Sequence, residues 1–123
     1  MIFFEKLFIR RYTTEKIDSK EEKNKKNMKK YKVGIIGAGS IATHIHMPSL
    51  AEIDNCEVVA ICDLRPERAT TLAEKYGVKK TYVSYPEMLA NEEMDAVFCL
   101  VNPDCTFRIA RDCMEAGFHV MTE

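Results

Sequence analysis

Two glycines and an alanine stand at a distinctive spacing directly after a short apolar segment, VGII. Gly37, Gly39 and Ala42 fit the pattern G-x-G-x-x-A. The first glycine permits a sharp turn, the second lets a bulky anion approach the backbone, and the small third residue lets a helix pack closely on a strand. The N–H groups of Ser40 and Ile41, at the start of that helix, can donate to phosphate oxygens. The pattern predicts that the diphosphate of a dinucleotide, rather than another part of the protein, requires these glycines.

A carboxylate follows at the distance that such a turn requires. Asp63 lies 21 residues after Ala42, at the end of a second apolar segment, VVAIC. An acid there can accept hydrogen bonds from both ribose hydroxyls of adenosine, which favours NAD over NADP. The same carboxylate could instead cap a helix. Arg65 leaves the preference open, because it could pair with the 2′-phosphate of NADP, stack on adenine or face solvent.

Strand and helix signals alternate from Tyr31 to the last residue. Apolar segments predict strands over 33–36, 57–63, 78–83, 94–101 and 118–121. The intervening segments predict helices over 40–51, interrupted near Pro48, and then over 66–76, 84–89 and 103–117. Alternation with short turns is typical of a parallel sheet with helices on both faces. We therefore predict an α/β, Rossmann-type doubly wound sheet with the strand order 3-2-1-4-5.

Local signals mark the ends of these helices. Gly77 can adopt the positive φ that ends a helix. Ser84 and Glu87 have the spacing of a capping box, and Asn102 before a proline is typical of a helix start. The last helix is predicted to bury a stripe consisting of Ala110, Cys113, Met114 and Gly117.

Charge divides the chain into two parts. Residues 1–30 carry ten Lys and Arg against five Asp and Glu, whereas residues 31–123 carry eight against fourteen. We expect residues 1–30 to form a basic, disordered extension, with a start at Met28 or a mitochondrial presequence as alternatives. Residues 31–123 are expected to form one NAD(P)-binding domain. Its acidic balance argues against nucleic-acid binding, and the sequence holds no apolar stretch of membrane-spanning length.

The cysteines and histidines do not form a recognisable metal or redox motif. Five cysteines occur without a C-x-x-C pair, which is typical of small core residues in a reducing cytoplasm. His44 and His46 are two residues apart and do not share a helix face, so we expect no metal site. His119 lies within a predicted strand and is expected to be structural.

Three segments together resemble the N-terminal half of the Gfo/Idh/MocA (glucose-fructose oxidoreductase / inositol dehydrogenase) family. They read YKVGIIGAGSIATHIHMPSL, VVAICDLRPERATTLAEKYGV and EAGFHVMTE, and they cover about residues 31–123. The resemblance implies a dinucleotide-binding domain followed by a second α/β domain that supplies most of the substrate pocket and the oligomer interface. It also implies oxidation or reduction of sugars, inositols and related alcohols.

The resemblance further implies roles near the nicotinamide. Family members carry Glu-Lys-Pro after strand 5, with the Glu near the nicotinamide ribose and the Lys assisting proton transfer. Glu123 matches that Glu and is the last residue. Asn102 lies in a loop at the cofactor edge, where this chain reads Val101-Asn102-Pro103 instead of the usual Thr-Pro-Asn, and has Thr106 in place of a His. We expect Asn102 and Glu123 to contact the cofactor, no residue to be catalytic, and the substrate domain to be absent.

Three functional hypotheses follow. The first is the cofactor half of a cytoplasmic NAD(P)-dependent oxidoreductase, which binds a polyol or sugar only when the missing domain is supplied. The second is a non-catalytic dinucleotide-binding module or pseudoenzyme fragment, with an exposed apolar patch beside strand 5. The third is an S-adenosylmethionine-dependent methyltransferase, which would prefer a glycine where this chain has Ile41.

Overall fold

The described part of the protein, residues 28–123 of a computed structural model, is built on one parallel β-sheet. Its strands are β1 (Tyr31–Ile36), β2 (Cys56–Cys62), β3 (Lys80–Tyr82), β4 (Ala96–Cys99) and β5 (His119–Thr122). They lie in the order β3-β2-β1-β4-β5, and each neighbouring pair is parallel. This confirms the predicted class and strand order. Residues 1–27 of the predicted disordered extension lie outside the described residues, so that prediction stays open.

Helices connect the successive strands of residues 28–123. They are a π-helical turn (Ala42–His46), α1 (Met47–Ala51), α2 (Pro66–Tyr76), α3 (Tyr85–Asn91) and α4 (Pro103–Glu115). As predicted, α2 ends at Gly77, whose φ of 70° is left-handed. Residues of α3 and α4 share one buried cluster with β4, so these two helices cover the same face of the sheet.

The first helix is distorted where a proline interrupts its hydrogen bonds. Pro48 has no N–H, and its ring would press on the carbonyl of His44 in a regular helix. The preceding turn widens, and the N–H of Met47 donates to the carbonyl of Ala42, five residues earlier. The predicted interruption therefore occurs in the turn before Pro48, as a π segment within a helix that continues to Ala51.

The central strands are buried on both faces, as expected for a parallel sheet covered by helices. All four residues of β4 are buried, and Phe98 is the largest fully buried side chain of the described residues. Gly34 in β1 leaves room for Met94 and Met88, whose side chains occupy the space that a Cβ would need. The sheet therefore packs tightly beneath the edge where the strands end.

The cysteines are part of this core. All five lie in the described residues as free thiols, and Cys62, Cys99 and Cys113 are buried. Burial raises the pKa of Cys62 to about 11 and that of Cys113 to about 12, so both remain protonated near neutral pH. These three behave as small core residues, in agreement with the sequence.

Several local predictions were wrong. Ser84 precedes α3 without forming a side-chain cap, partly because Pro86 removes one of the N–H groups that it could have accepted. Met114 is 59% exposed, because it lies about 100° around α4 from Cys113, and the helix buries Ile109, Ala110 and Cys113 instead. Gly117 lies beyond the helix. The third and fourth strands are shorter than predicted and pair over only three and four residues.

Candidate dinucleotide-binding site

The topology brings the predicted site residues to one edge of the sheet. The connections from β1 and from β4 run in opposite directions, so the chain separates between these two neighbouring strands. A crevice forms at such a switch point, outside the carboxyl ends of the strands. The glycine turn follows β1, Asp63 follows β2, and Asn102 and Glu123 come after β4 and β5.

Gly37 is required by the protein itself. Its φ is 99°, a left-handed value that favours glycine, and a Cβ would overlap the main-chain carbonyl of Leu100. Its N–H donates to the carbonyl of Cys62 at 2.8 Å. The predicted sharp turn is present, but the expectation that only a ligand excludes a side chain here was wrong, because the loop after β4 already occupies that space.

Gly39 is different, because nothing lies near its missing side chain. A Cβ at this position would have no heavy atom within 4 Å, and its φ is not positive. Glycine is therefore not required here by folding, and the open space fits a bound diphosphate. The helix that begins at Ser40 leaves its first N–H groups without partners inside the helix, so those of Ser40 and Ile41 can donate outward. Both residues are exposed.

Asp63 connects the end of β2 to the glycine turn. Its Oδ2 accepts the N–H of Ala38 at 2.8 Å, and its Oδ1 accepts the N–H of Arg65, also at 2.8 Å. The second bond resembles the helix-capping alternative, since Arg65 is the residue immediately before α2. Each carboxylate oxygen can accept more than one hydrogen bond, so acceptor capacity remains for ribose hydroxyls.

Arg65 faces solvent beside this carboxylate. Its residue is exposed, and it forms no ion pair within residues 28–123. A groove between the first helix and α2 is lined by Ala38 and Thr43 and by three charged residues, Glu67, Arg68 and Lys75. Positive charge is thus present near Asp63 but does not contact its carboxylate.

Asn102 and Glu123 form the opposite side of the edge. The carbonyl of Asn102 accepts the N–H groups of Cys105 and Thr106 at the start of α4, while its side chain forms no cap and is exposed. Glu123 accepts a hydrogen bond at Oε2 from Nε2 of His46 at 2.7 Å. Sequence reasoning missed this contact, because it weighed a metal site for His46 against an ordinary helix-start or solvent role and did not consider the end of the last strand as its partner.

Apolar side chains are exposed beside β5. Phe107 is 77% exposed, and with Met114 it lines a shallow groove on α4 that also contains Thr122 and Glu123. The structure therefore places an apolar patch where one was predicted.

Within residues 28–123, no three His, Cys, Asp or Glu side chains are grouped so that they could hold a metal ion. The helices of that same part of the chain are too short or too polar to cross a membrane. His119 is exposed in β5, where its N–H donates to the carbonyl of Asp95.

Comparison with known proteins agrees with this geometry. The family model for Gfo/Idh/MocA proteins, described as an oxidoreductase family with an NAD-binding Rossmann fold, matches residues 31–123. Myo-inositol 2-dehydrogenase of Thermotoga maritima is 34% identical over 92 residues, which are 75% of this chain and 27% of that protein. D-glucoside 3-dehydrogenase of Escherichia coli is 35% identical over 92 residues, which are 75% of this chain and 26% of that protein. The chain spans little more than a quarter of the length of these relatives.

A solved structure is also similar to this chain. The WlbA dehydrogenase of Chromobacterium violaceum, in complex with NADH and UDP-GlcNAcA, is similar with a TM-score of 0.73 at 30% identity. The similarity covers 77% of this chain and 27% of that one. The chain therefore belongs to the Gfo/Idh/MocA oxidoreductase family, of which residues 31–123 carry the NAD-binding Rossmann fold.

Proposed function

We propose that this chain binds NAD in preference to NADP through its glycine turn and Asp63. The observation that carries the proposal is the 2.8 Å bond between Asp63 Oδ2 and the N–H of Ala38, which holds the acid against the turn. A dinucleotide whose diphosphate lies on the turn then has its adenosine ribose within reach of the carboxylate. The 2′-phosphate of NADP would bring further negative charge beside that carboxylate, which disfavours it.

The remaining contacts follow from the direction of the dinucleotide across the edge. The N–H groups of Ser40 and Ile41 donate to the diphosphate, in the space that Gly39 leaves open beside the turn formed by Gly37. Since the adenosine half lies on the β2 side, the nicotinamide half extends toward the ends of β4 and β5, where Asn102 and Glu123 lie. Arg65 stacks on the adenine from the solvent side.

The proposed reaction is hydride transfer between the nicotinamide and a sugar, an inositol or a related alcohol. The names of the relatives support this class, since they include an inositol and a glucoside dehydrogenase. We assign no catalytic residue within 28–123, and we propose that a separate domain holds the substrate. The five free cysteines support a cytoplasmic location.

Calorimetric titration of the chain with NADH and with NADPH tests the binding proposal. We expect saturable binding of NADH, weaker binding of NADPH, and no competition by S-adenosylmethionine. Gly39→Val is the variant that tests the turn, because its side chain enters a space where a Cβ meets no protein atom within 4 Å. A folded chain that binds neither dinucleotide, or a Gly39→Val variant with unchanged affinity, would show that the turn is not the site.

A further inference from the structure

One hydrogen bond connects the helix of the glycine turn to the end of β5. Nε2 of His46 lies 2.7 Å from Oε2 of Glu123, although the two residues are 77 positions apart in the sequence. The exposed fraction of the side chain is 14% for His46 and 46% for Glu123. The imidazole is therefore mostly enclosed, while the carboxylate that it contacts is open to solvent.

The ring of His46 is held in place from two sides. Its edge packs against Phe98 with ring centroids 5.6 Å apart and an interplanar angle of 76°. Phe98 lies in β4 and is fully buried, so the imidazole rests on a rigid part of the sheet. His46 is also the last residue of the π-helical turn, whose widened hydrogen bonding before Pro48 changes the direction in which this residue points relative to a regular helix.

The hydrogen bond to His46 uses only one of the two carboxylate oxygens of Glu123. In the described part of the chain, Oε1 of Glu123 accepts no hydrogen bond, whereas Oε2 is fixed by His46. Glu123 stands at the carboxyl end of β5, next to the end of β4, on the side of the crevice away from Asp63. A carboxylate held there by one oxygen presents the other to a hydroxyl group of a ligand that crosses the edge.

We propose that His46 is a positioning residue for the cofactor site: it fixes the carboxylate of Glu123 so that Oε1 accepts a ribose hydroxyl from the nicotinamide half of the dinucleotide. This role rests on the proposed function, because it needs a dinucleotide lying across the crevice. His46 itself touches neither the diphosphate nor the adenosine in this arrangement. Its effect is confined to the half of the ligand near β5.

Backbone NMR of the chain during titration with NADH separates the two halves of the site. In the wild-type chain we expect the amides of Ser40 and Ile41 to report the diphosphate, and those of Thr122 and Glu123 to report the nicotinamide half. His46→Leu should preserve the response of the turn, abolish the response at the end of β5 and weaken NADH binding by about tenfold, as expected for one lost charge-assisted hydrogen bond.

His46→Gln is the matched control, because its side-chain amide can donate from nearly the same place as Nε2. It should restore the response at Glu123 and bring the affinity within about twofold of wild type. The double variant His46→Leu with Glu123→Ala should bind no more weakly than the weaker single variant, since both changes remove the same bond. If His46→Leu destabilises the fold, the comparison of His46→Gln, which keeps a donor, with Glu123→Ala, which removes the acceptor, still tests the bond.

The results that would overturn the proposal are specific. They are a His46→Leu variant that responds like wild type at Thr122 and Glu123, a His46→Gln variant as weak as His46→Leu, or additive losses in the double variant. A wild-type chain that binds no dinucleotide would overturn the proposed function, and the positioning role with it. The two failures are distinguishable, because the imidazole ¹⁵N shifts of His46 in the ligand-free chain should still change in Glu123→Ala, which removes the acceptor.

Discussion

The two glycines of the turn should respond in opposite ways to the same substitution. Gly37→Ala places a methyl group at a φ of 99°, where it overlaps the carbonyl of Leu100. The backbone conformation costs about 1–2 kcal/mol and the overlap about 1–3 kcal/mol, so we expect a loss of about 3 kcal/mol in the free energy of unfolding. Gly39→Ala meets no atom within 4 Å at an unstrained φ. It should leave stability within about 1 kcal/mol of wild type, with a small gain because the unfolded chain loses freedom.

Gly39→Ala should have a clear effect on NADH binding, although it has little effect on stability. The methyl group of Gly39→Ala enters the space assigned to the diphosphate, so NADH affinity should fall by at least about tenfold in a protein that remains fully folded. Urea unfolding followed by circular dichroism measures the free energy of unfolding. With a slope of about 1.5 kcal/mol per molar urea, the midpoint of Gly37→Ala should fall by about 2 M. Calorimetric titration with NADH measures the affinity.

Two results would refute this reasoning. If Gly37→Ala unfolds at the wild-type midpoint, the contact with Leu100 does not constrain the turn. If Gly39→Ala is folded and binds NADH with unchanged affinity, the open space over Gly39 is not where the diphosphate lies.

Three further predictions concern the acid, the thiols and pH. Asp63→Ala should weaken NADH binding about tenfold more than NADPH binding in paired titrations. The ribose of NADH loses a hydrogen-bond acceptor, whereas the 2′-phosphate of NADPH is relieved of a nearby negative charge. Equal losses would exclude Asp63 from the choice between the two cofactors. Iodoacetamide at pH 8 should label Cys62 and Cys113 only after denaturation, as followed by mass spectrometry. The reason is that pKa values of about 11 and 12 leave on the order of 0.1% of each thiol or less as thiolate. Rapid labelling of the folded chain would contradict the burial of these thiols. The hydroxyl of Tyr85 donates to Asp112 at 2.7 Å and holds the pKa of that carboxyl below its usual range, so its stabilisation is present above the unfolded pKa of aspartate, about 3.9, and is lost as pH falls through the folded value. Tyr85→Phe should therefore lower the urea midpoint more at pH 7 than at pH values below about 3.9, and a loss that does not shrink as the pH falls would contradict the linkage.

The fold was predictable because its signals are local and repeated. Five apolar segments with helical segments between them predict a parallel sheet covered by helices, and the glycine turn after the first strand favours the Rossmann strand order. The ends of elements were less predictable, because they depend on partners. Ser84 has the sequence of a cap but makes no cap bond, and Met114 follows the apolar pattern but lies outside the buried stripe.

The position of the candidate site residues at one edge of the sheet was predictable, but their contacts were not. The spacing of the glycines and Asp63 is sufficient to bring them to one edge of the sheet. The approach of the Leu100 carbonyl to Gly37, and the bond between His46 and Glu123, depend on how distant segments align in three dimensions. No local pattern encodes the second contact, because the widened turn before Pro48 alters the direction of His46 by an amount that a regular helical period does not give.

The floor of the crevice has a consequence for how this site can evolve. It is made of main-chain atoms: the N–H of Gly37 bonds to the carbonyl of Cys62, the N–H of Leu100 bonds to the carbonyl of Ile36, and the carbonyl of Leu100 packs on Gly37. Substitutions at positions 62 and 100 that the core accommodates leave these bonds in place, so Gly37 is the position in the floor that a main-chain contact constrains. Side chains at the rim can therefore change while the main-chain floor beneath them keeps its form.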